Sequence, residues 1–308
     1  MIQIEKPPRN GGLLQQEQRP VARARLPEWL RKPARNPQAD HELKKLLRIR
    51  SLNTVCEEAR CPNRNDCFAR GAATFMILGD TCSRSCGFCS VKTGRGIDLE
   101  DLKHEPDQVA EAAAQLKLRY VVITSVNRDE LSDGGAEHFA RTILAVRARL
   151  PESRIEVLTP DFKGNVEALR TVLNAKPDTF NHNVETVPRL YPRVRPQAGY
   201  RQSLDVLGNA KRLSGALTKS GFMVGLGETV DEVKQMLRDL RGANVDVVTV
   251  GQYLQPTLRH LPVEEYVAPE LFDYYRGYGE SIGFRAVFSG PLVRSSFMAE
   301  SVHDKISE

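Results

Sequence analysis

Thr74-Phe-Met-Ile-Leu-Gly-Asp-Thr-Cys-Ser-Arg-Ser-Cys-Gly-Phe-Cys89 runs from a short apolar segment straight into three cysteines spaced C-x3-C-x2-C. Its first part, Thr74–Leu78, is apolar at successive positions, which reads as a strand buried on both faces. The same texture recurs at Tyr120–Thr124, Ile155–Leu158, Thr179–Val184, Gly221–Leu226 and Val245–Val250. Between these runs, apolar side chains at helical spacing predict helices near 106–117, 136–149, 164–175, 201–217 and 229–241. Glu228, Asp231 and Glu232 give the last of these an acidic first turn. Strands that are apolar throughout, alternating with helices, predict a parallel sheet covered by helices.

Two architectures satisfy that pattern: a doubly wound sheet and a TIM-type barrel. Polar residues fall at the C-terminal ends of nearly every predicted strand, at Asp80, Thr124, Ser125, Thr159, Asn183, Glu185, Glu228 and Gln252. Functional groups converging from all strands onto one face favour a barrel. Six strands are too few to close an eightfold one. The expected fold is therefore α/β, a partial (β/α)6 TIM-type barrel with N- and C-terminal extensions. The expected divisions are a basic extension over 1–50, a cysteine loop over 51–72, the barrel over 73–283 and a C-terminal segment over 284–308. A further helix near 268–282 and a short strand at Gly283–Phe288 lead into that last segment.

Hydrophobic residues make up 41% of the 308-residue chain and charged ones 27%, enough apolar content for a large core without disulfides. No apolar run approaches the ~18 residues of a membrane span. Glu5 and the Pro7–Pro8 pair interrupt any secretory leader, so a cytoplasmic location and no membrane partner are expected. Residues 1–50 carry 12 Lys and Arg against 5 Asp and Glu, and a helix is expected over Asp40–Arg50. A basic arm of this kind can steer an acidic partner. Few aromatics interleave with its charges, so no nucleic-acid partner is expected.

All six cysteines lie between positions 56 and 89. Without a secretory signal, such crowding points to metal rather than disulfides. Cys82, Cys86 and Cys89 can hold three irons of a 4Fe–4S cube and leave the fourth open. A three-cysteine zinc site would need a histidine, and none is nearer than His104. Cys56, Cys61 and Cys67 form a second triplet, C-x4-C-x5-C. Spacing alone leaves zinc, bystander thiols or a second cluster open there, and any cluster would lack a fourth thiolate.

The first triplet, with Phe88 before its last cysteine, resembles the radical S-adenosylmethionine (SAM) signature. The second is more specific: Val55-Cys-Glu-Glu-Ala-Arg-Cys-Pro-Asn63 resembles the auxiliary-cluster motif of lipoyl synthases. Phe75-Met-Ile-Leu-Gly-Asp80, Thr124-Ser-Val-Asn-Arg-Asp129, Asp133-Gly-Gly-Ala136, Asn181-His-Asn-Val-Glu-Thr-Val-Pro-Arg189, Val224-Gly-Leu-Gly-Glu228, Gln252-Tyr-Leu-Gln-Pro-Thr257, Arg259-His-Leu-Pro262 and Arg294-Ser-Ser-Phe297 are also similar to that family. The resemblance covers about residues 27–298. It departs at Phe68 and Phe297, where the family usually has tryptophan and tyrosine.

That resemblance implies two 4Fe–4S clusters and SAM as cofactors, with Ser296 as fourth ligand of the auxiliary cluster. It implies a radical SAM sulfurtransferase that inserts sulfur at C6 and C8 of an octanoyl chain. The chain would be borne on a lysine of a lipoyl carrier protein or domain, and an electron donor such as flavodoxin or ferredoxin would reduce the clusters. Thr124, Ser125, Asn127, Asn183, Glu185 and Arg195 are the expected SAM contacts, each with an alternative use as a helix cap or ion-pair partner. The Gly225-x-Gly227-Glu228 turn is expected to approach the adenine, and His182 fits a core or a catalytic role equally. A biotin-synthase-like or methylthiotransferase activity, and a non-catalytic iron–sulfur carrier, are the competing functions. An open iron at a barrel mouth argues against the carrier.

Overall fold

The computed structural model describes residues 26–31, 45, 47, 48, 50, 52–58, 61, 63 and 74–296, with the side chain of Cys56 excepted. The rest of the basic extension, Cys67, Phe68 and Phe297 lie outside the described residues, as does most of the predicted helix Asp40–Arg50. Within that last span Lys45, Leu47 and Arg48 are helical.

Eight strands among the described residues form one sheet. In spatial order they are β1 (Asn53–Thr54), β2 (Thr74–Ile77), β5 (Tyr120–Ser125), β6 (Arg154–Leu158), β7 (Thr179–Asn181), β8 (Leu217–Val224), β9 (Val247–Gln252) and β10 (Ala286–Gly290). β1 pairs antiparallel with β2, and every other neighbouring pair is parallel. β1 and β10 stand at opposite edges, so the barrel is open. A small parallel pair, β3 (Thr81–Cys82) and β4 (Lys92–Thr93), frames the cysteine loop.

Successive strand residues point to opposite faces. In β5, Val121 and Ile123 face outward into the helical layer and are fully buried, whereas Tyr120, Val122 and Thr124 face the barrel interior. The outer layer consists of α2 (Glu105–Gln115), α3 (Ala136–Arg149), α4 (Val166–Asn174), α6 (Tyr200–Ser214) and α7 (Val230–Gly242), with α8 (Pro269–Ser281) before β10. Two short helices, α1 (Val55–Glu58) and α5 (Tyr191–Val194), lie outside this layer. Local chemistry sets the helix starts. Asn165 accepts from the Glu167 and Ala168 amides ahead of α4, and Thr229 with Glu232 closes a reciprocal capping box on α7.

Strand bounds shift by one or two residues at several ends, as in β9, which runs over Val247–Gln252 rather than Val245–Val250, and three further differences are larger. β8 begins at Leu217 rather than Gly221, because Lys219 is neutralised inside the barrel instead of ending the strand. β7 stops at Asn181, short of Val184, where the chain bends toward a left-handed Glu185 at φ 65°. The short strand assigned to Gly283–Phe288 runs over Ala286–Gly290 and joins β9 as a seventh parallel strand, beyond the six expected.

Candidate active site

β2 delivers the cysteine loop through a turn at Leu78, which is left-handed at φ 68° and fully buried. Both of its backbone groups are pinned. The Leu78 amide donates to Glu105 Oε2 at 2.8 Å, and Arg128 Nη1 donates to the Leu78 carbonyl at 3.3 Å. Glu105 also meets His138 Nε2 at 2.7 Å, so the carboxylate is held from two sides.

The loop beyond is fixed at each cysteine. The Asn127 amide donates to Cys82 Sγ at 3.3 Å, and Ser83 donates its amide to the Asn127 carbonyl at 2.9 Å. Gly87 bridges two segments: its amide reaches the Val194 carbonyl, and its own carbonyl accepts from the Leu261 amide. A β-carbon at Gly87 would lie 2.9 Å from the Leu261 side chain, so only glycine permits this approach. The Cys89 carbonyl accepts from His260 Nε2 at 2.9 Å, which leaves His260 Nδ1 to accept from the Thr257 hydroxyl.

Arg84, inside the triplet, makes the strongest of these ties. Its guanidinium donates to both oxygens of Asp129 (2.7 and 2.9 Å) and both of Asp161 (2.8 and 2.7 Å). Burial pushes the Asp161 carboxyl up, but the Arg84 bonds and charge outweigh it and hold that carboxyl well below the usual carboxylate range.

Cys82, Cys86 and Cys89 are free thiols, each partly exposed, and all line one cavity of about 340 Å³ in the barrel. Burial raises the Cys86 thiol pKa and pushes that of Cys89 up to about 12. Such thiols stay protonated until a metal displaces the proton. Among the described residues no trio of His, Cys, Asp or Glu converges on a single metal ion. A cube instead takes one thiolate per iron.

Cys61 and Ser296 line the same cavity. The segments bearing them meet directly, since Asn63 Nδ2 donates to the Leu292 carbonyl at 2.6 Å. Ser295 takes a different part, its hydroxyl donating to Asn183 Oδ1 at 2.8 Å. Arg294 also faces the cavity; burial lowers its pKa, and the neighbouring Cys61 opposes that shift.

The six expected SAM contacts all line this cavity. Ser125 Oγ, Asn127 Oδ1 and Arg195 Nε are buried and have no hydrogen-bond partner among the described residues, as does Thr159 Oγ1 in the same wall. Unpaired buried polar atoms are costly, so a cluster of them facing one cavity fits a polar ligand such as SAM. The other three groups are already engaged. Thr124 Oγ1 donates to the Leu158 carbonyl, and Asn183 Nδ2 donates to Glu185. Arg195 is also engaged through Nη1, which donates to the carbonyls of Asn183 and Val184. Burial raises the Glu185 pKa, with Arg195 and Asn183 opposing.

Two expectations resolve differently. The Gly225–Glu228 turn does not line the cavity, because Gly225 packs against Gln252 and the Glu265 carbonyl while Glu228 accepts the Gly225 and Leu226 amides. His182 proves to be a satisfied wall residue: 1% exposed, it bonds the Thr159 carbonyl and the Ser203 hydroxyl. Its pKa is lowered to about 4 by burial and by Arg195, so it is neutral. Sequence reasoning gave no role to Arg84, His260 or Tyr120. An arginine between two cysteines carries no signal of partners 45 and 77 residues away.

A profile of the Radical SAM superfamily matches residues 76–240. Among solved structures, Streptococcus suis SuiB bound to SAM superposes with a TM-score of 0.52 at 13% identity, over 80% of this chain and 57% of that one. Escherichia coli coproporphyrinogen III oxidase, described as a radical SAM enzyme, gives 0.52 at 13% identity over 66% and 51%. These show the fold alone. Sequence likeness is far higher to curated lipoyl synthases. The protein of Rubrobacter xylanophilus is 57% identical over 89% of this chain and 85% of its own length. That of Thermus thermophilus is 51% identical over 94% and 90%. Identity of this order, sustained across nearly the whole of both partners, reaches past the shared barrel: the chain belongs to the lipoyl synthases of the radical SAM superfamily.

Proposed function

We propose that Cys82, Cys86 and Cys89 hold the cluster that works with SAM, and that Cys56, Cys61, Cys67 and Ser296 hold the auxiliary cluster. The reaction they serve is the sulfur insertion at C6 and C8 of a protein-bound octanoyl chain performed by a lipoyl synthase. The observation that carries this assignment is one cavity lined by Cys61 and Ser296 together with the Cys82–Cys89 triplet. When bound, one cluster with SAM supplies hydrogen abstraction from unactivated carbon, and the other supplies sulfur.

The chain's own residues position that chemistry. Arg84, Asp129 and Asp161 fix the triplet against the barrel. Ser125, Asn127 and Arg195 offer their unpaired polar atoms to SAM, with Asn183 and Glu185 disposed for its amino group and Thr124 at the rim. Val293, Arg294, Ser295 and Ser296 line the cavity beside Cys61. An octanoylated lipoyl carrier domain brings the substrate, and a one-electron donor of the flavodoxin or ferredoxin kind reduces the clusters. We place the reaction in the cytoplasm. No helix among the described residues is long and apolar enough to cross a membrane.

The test is anaerobic reconstitution followed by incubation with an octanoyl-lysine peptide, SAM and reductant. Mass spectrometry should show two sulfur atoms added to the peptide. Cleavage of SAM without any sulfur-bearing product would defeat the assignment of the auxiliary site.

A further inference from the structure

Below the cysteines the cavity changes character. Its upper wall carries the unpaired polar atoms of Ser125, Asn127, Thr159 and Arg195, with Met223 near the C-terminal end of β8, four residues beyond Lys219. On β2 and β5 the inward-facing side chains run down from Met76 to Thr74 and Val122. Register sets the levels: Met76 lies opposite Thr124, Thr74 opposite Val122, and Tyr120 one inward-facing position deeper. Tyr120 is four strand residues below Thr124, about 13 Å at ~3.3 Å per residue.

Tyr120 lines the cavity, and the groups behind it do not. Its hydroxyl donates to Glu156 Oε2 at 2.8 Å. Glu156 is wholly buried and also accepts from Lys219 Nζ at 3.0 and 3.1 Å and from Asn181 Nδ2 at 2.8 Å. Lys219 is 1% exposed. A carboxylate with this many donors, paired to a buried ammonium, resists rearrangement, because moving any partner strands a charge away from water. The ring of Tyr120 therefore rests on a rigid polar plug.

We propose that Tyr120, backed by the Glu156–Lys219 pair, is the inner stop of the acyl pocket and sets the longest chain the enzyme accepts. The inference rests on the octanoyl substrate proposed above. The chain passes Met223 and Met76, its methyl end lies against Val122, and methylenes beyond the eighth carbon meet the Tyr120 ring.

The experiment measures binding of octanoyl-lysine and decanoyl-lysine peptides to the reconstituted holoenzyme with SAM and no reductant. The wild type should bind the decanoyl peptide weaker by about tenfold or more, since a single methylene in a tight apolar pocket is worth ~10-fold or above. Tyr120→Ala should bring the two affinities within about threefold of each other, while Tyr120→Phe, which keeps the ring, should retain the tenfold gap. Should Tyr120→Ala fail to fold, Val122→Phe decides. It fills the pocket from above and should shift preference from octanoyl to hexanoyl peptide by about tenfold. Equal affinity of the wild type for octanoyl and decanoyl peptides overturns the proposal, as do folded variants with unchanged ratios. Sulfur insertion by the wild type is assayed in parallel. Its failure counts against the functional assignment, whereas active wild type with unchanged ratios counts against Tyr120 alone.

Discussion

Asn63 and Leu292 meet across 229 positions of sequence, the buried Asn63 amide donating to the Leu292 carbonyl at 2.6 Å. Asn63 follows Cys61 by two residues, and Leu292 precedes Ser296 by four. This hydrogen bond joins the two segments assigned above to the proposed auxiliary site. Asn63→Ala should strand the Leu292 carbonyl, at a cost of about 1–3 kcal/mol. The expected result is faster iron loss from one cluster only. Anaerobic chelation followed in time should show half of the iron released early, with SAM cleavage retained. Release at the wild-type rate would mean that the bond does not hold the segments together.

Arg84 gives a second test, on the other cluster. Two carboxylates share its guanidinium, and Arg84 is only 4% exposed. Removing one partner of a buried pair costs ~3–5 kcal/mol. Arg84→Met should therefore lower the unfolding midpoint in urea and reduce iron retained by Cys82, Cys86 and Cys89. Arg84→Lys keeps the charge but not the forked geometry, and should recover only part of the loss. Electron paramagnetic resonance of the reduced protein, with and without SAM, reads the affected cluster directly. An unperturbed spectrum in Arg84→Met would show that the triplet holds its shape unaided.

How much of this was legible depends on where each partner lies. The helix over 136–149 was readable to the residue, because its apolar periodicity is local and its glycines precede it. β8 was misplaced by four residues because Lys219 and Ser220 look like an end to an apolar run. Lys219 belongs inside only because Glu156, 63 positions earlier, neutralises it. The spacing of Cys82, Cys86 and Cys89 is itself a signal, whereas that of Cys56, Cys61 and Cys67 leaves zinc, bystander thiols and a cluster open. Of the polar strand ends, Thr124, Ser125, Thr159, Asn183 and Glu185 line the cavity, whereas Asp80, Glu228 and Gln252 do not. Their pairing was not legible: Thr124 and Ser125 are neighbours, yet one hydroxyl is engaged and the other unpaired. Long-range pairing of this kind has no signature within a short window.

His182 predicts a pH dependence of stability. Burial and Arg195 lower its pKa from about 6.5 to about 4. The unfolded chain therefore binds a proton in a range where the folded chain does not. That contribution is present in full above pH ~6.5 and is lost progressively as pH falls toward ~4, up to about 3 kcal/mol in all at ~1.4 kcal/mol per unit. His182→Gln, which keeps a donor and an acceptor for Thr159 and Ser203, should flatten the decline between pH 7 and pH 5. Anaerobic urea denaturation at a series of pH values measures it. Parallel curves for wild type and variant would show that other groups carry the acid sensitivity.

Ser296 is the most exposed assignment, because a hydroxyl is a harder and poorer partner for iron than a thiolate. Ser296 lines the cavity with Cys61, while its neighbour Ser295 bonds Asn183 instead. The two serines should therefore behave differently. Ser296→Cys should bind the auxiliary cluster more firmly and slow sulfur insertion, since the iron that must leave is held by a softer ligand. Ser296→Ala should leave that cluster labile, with product falling by roughly tenfold or more, a loss at least that of removing a group that merely supports a metal ligand. SAM cleavage should persist in both, because the Cys82–Cys89 triplet is untouched. Ser295→Ala should lose only a side-chain bond to Asn183 and show its effect in SAM affinity rather than in iron content. Iron analysis, Mössbauer spectra and product mass for the three variants separate these outcomes. Wild-type sulfur insertion by Ser296→Ala would remove Ser296 from the ligand set.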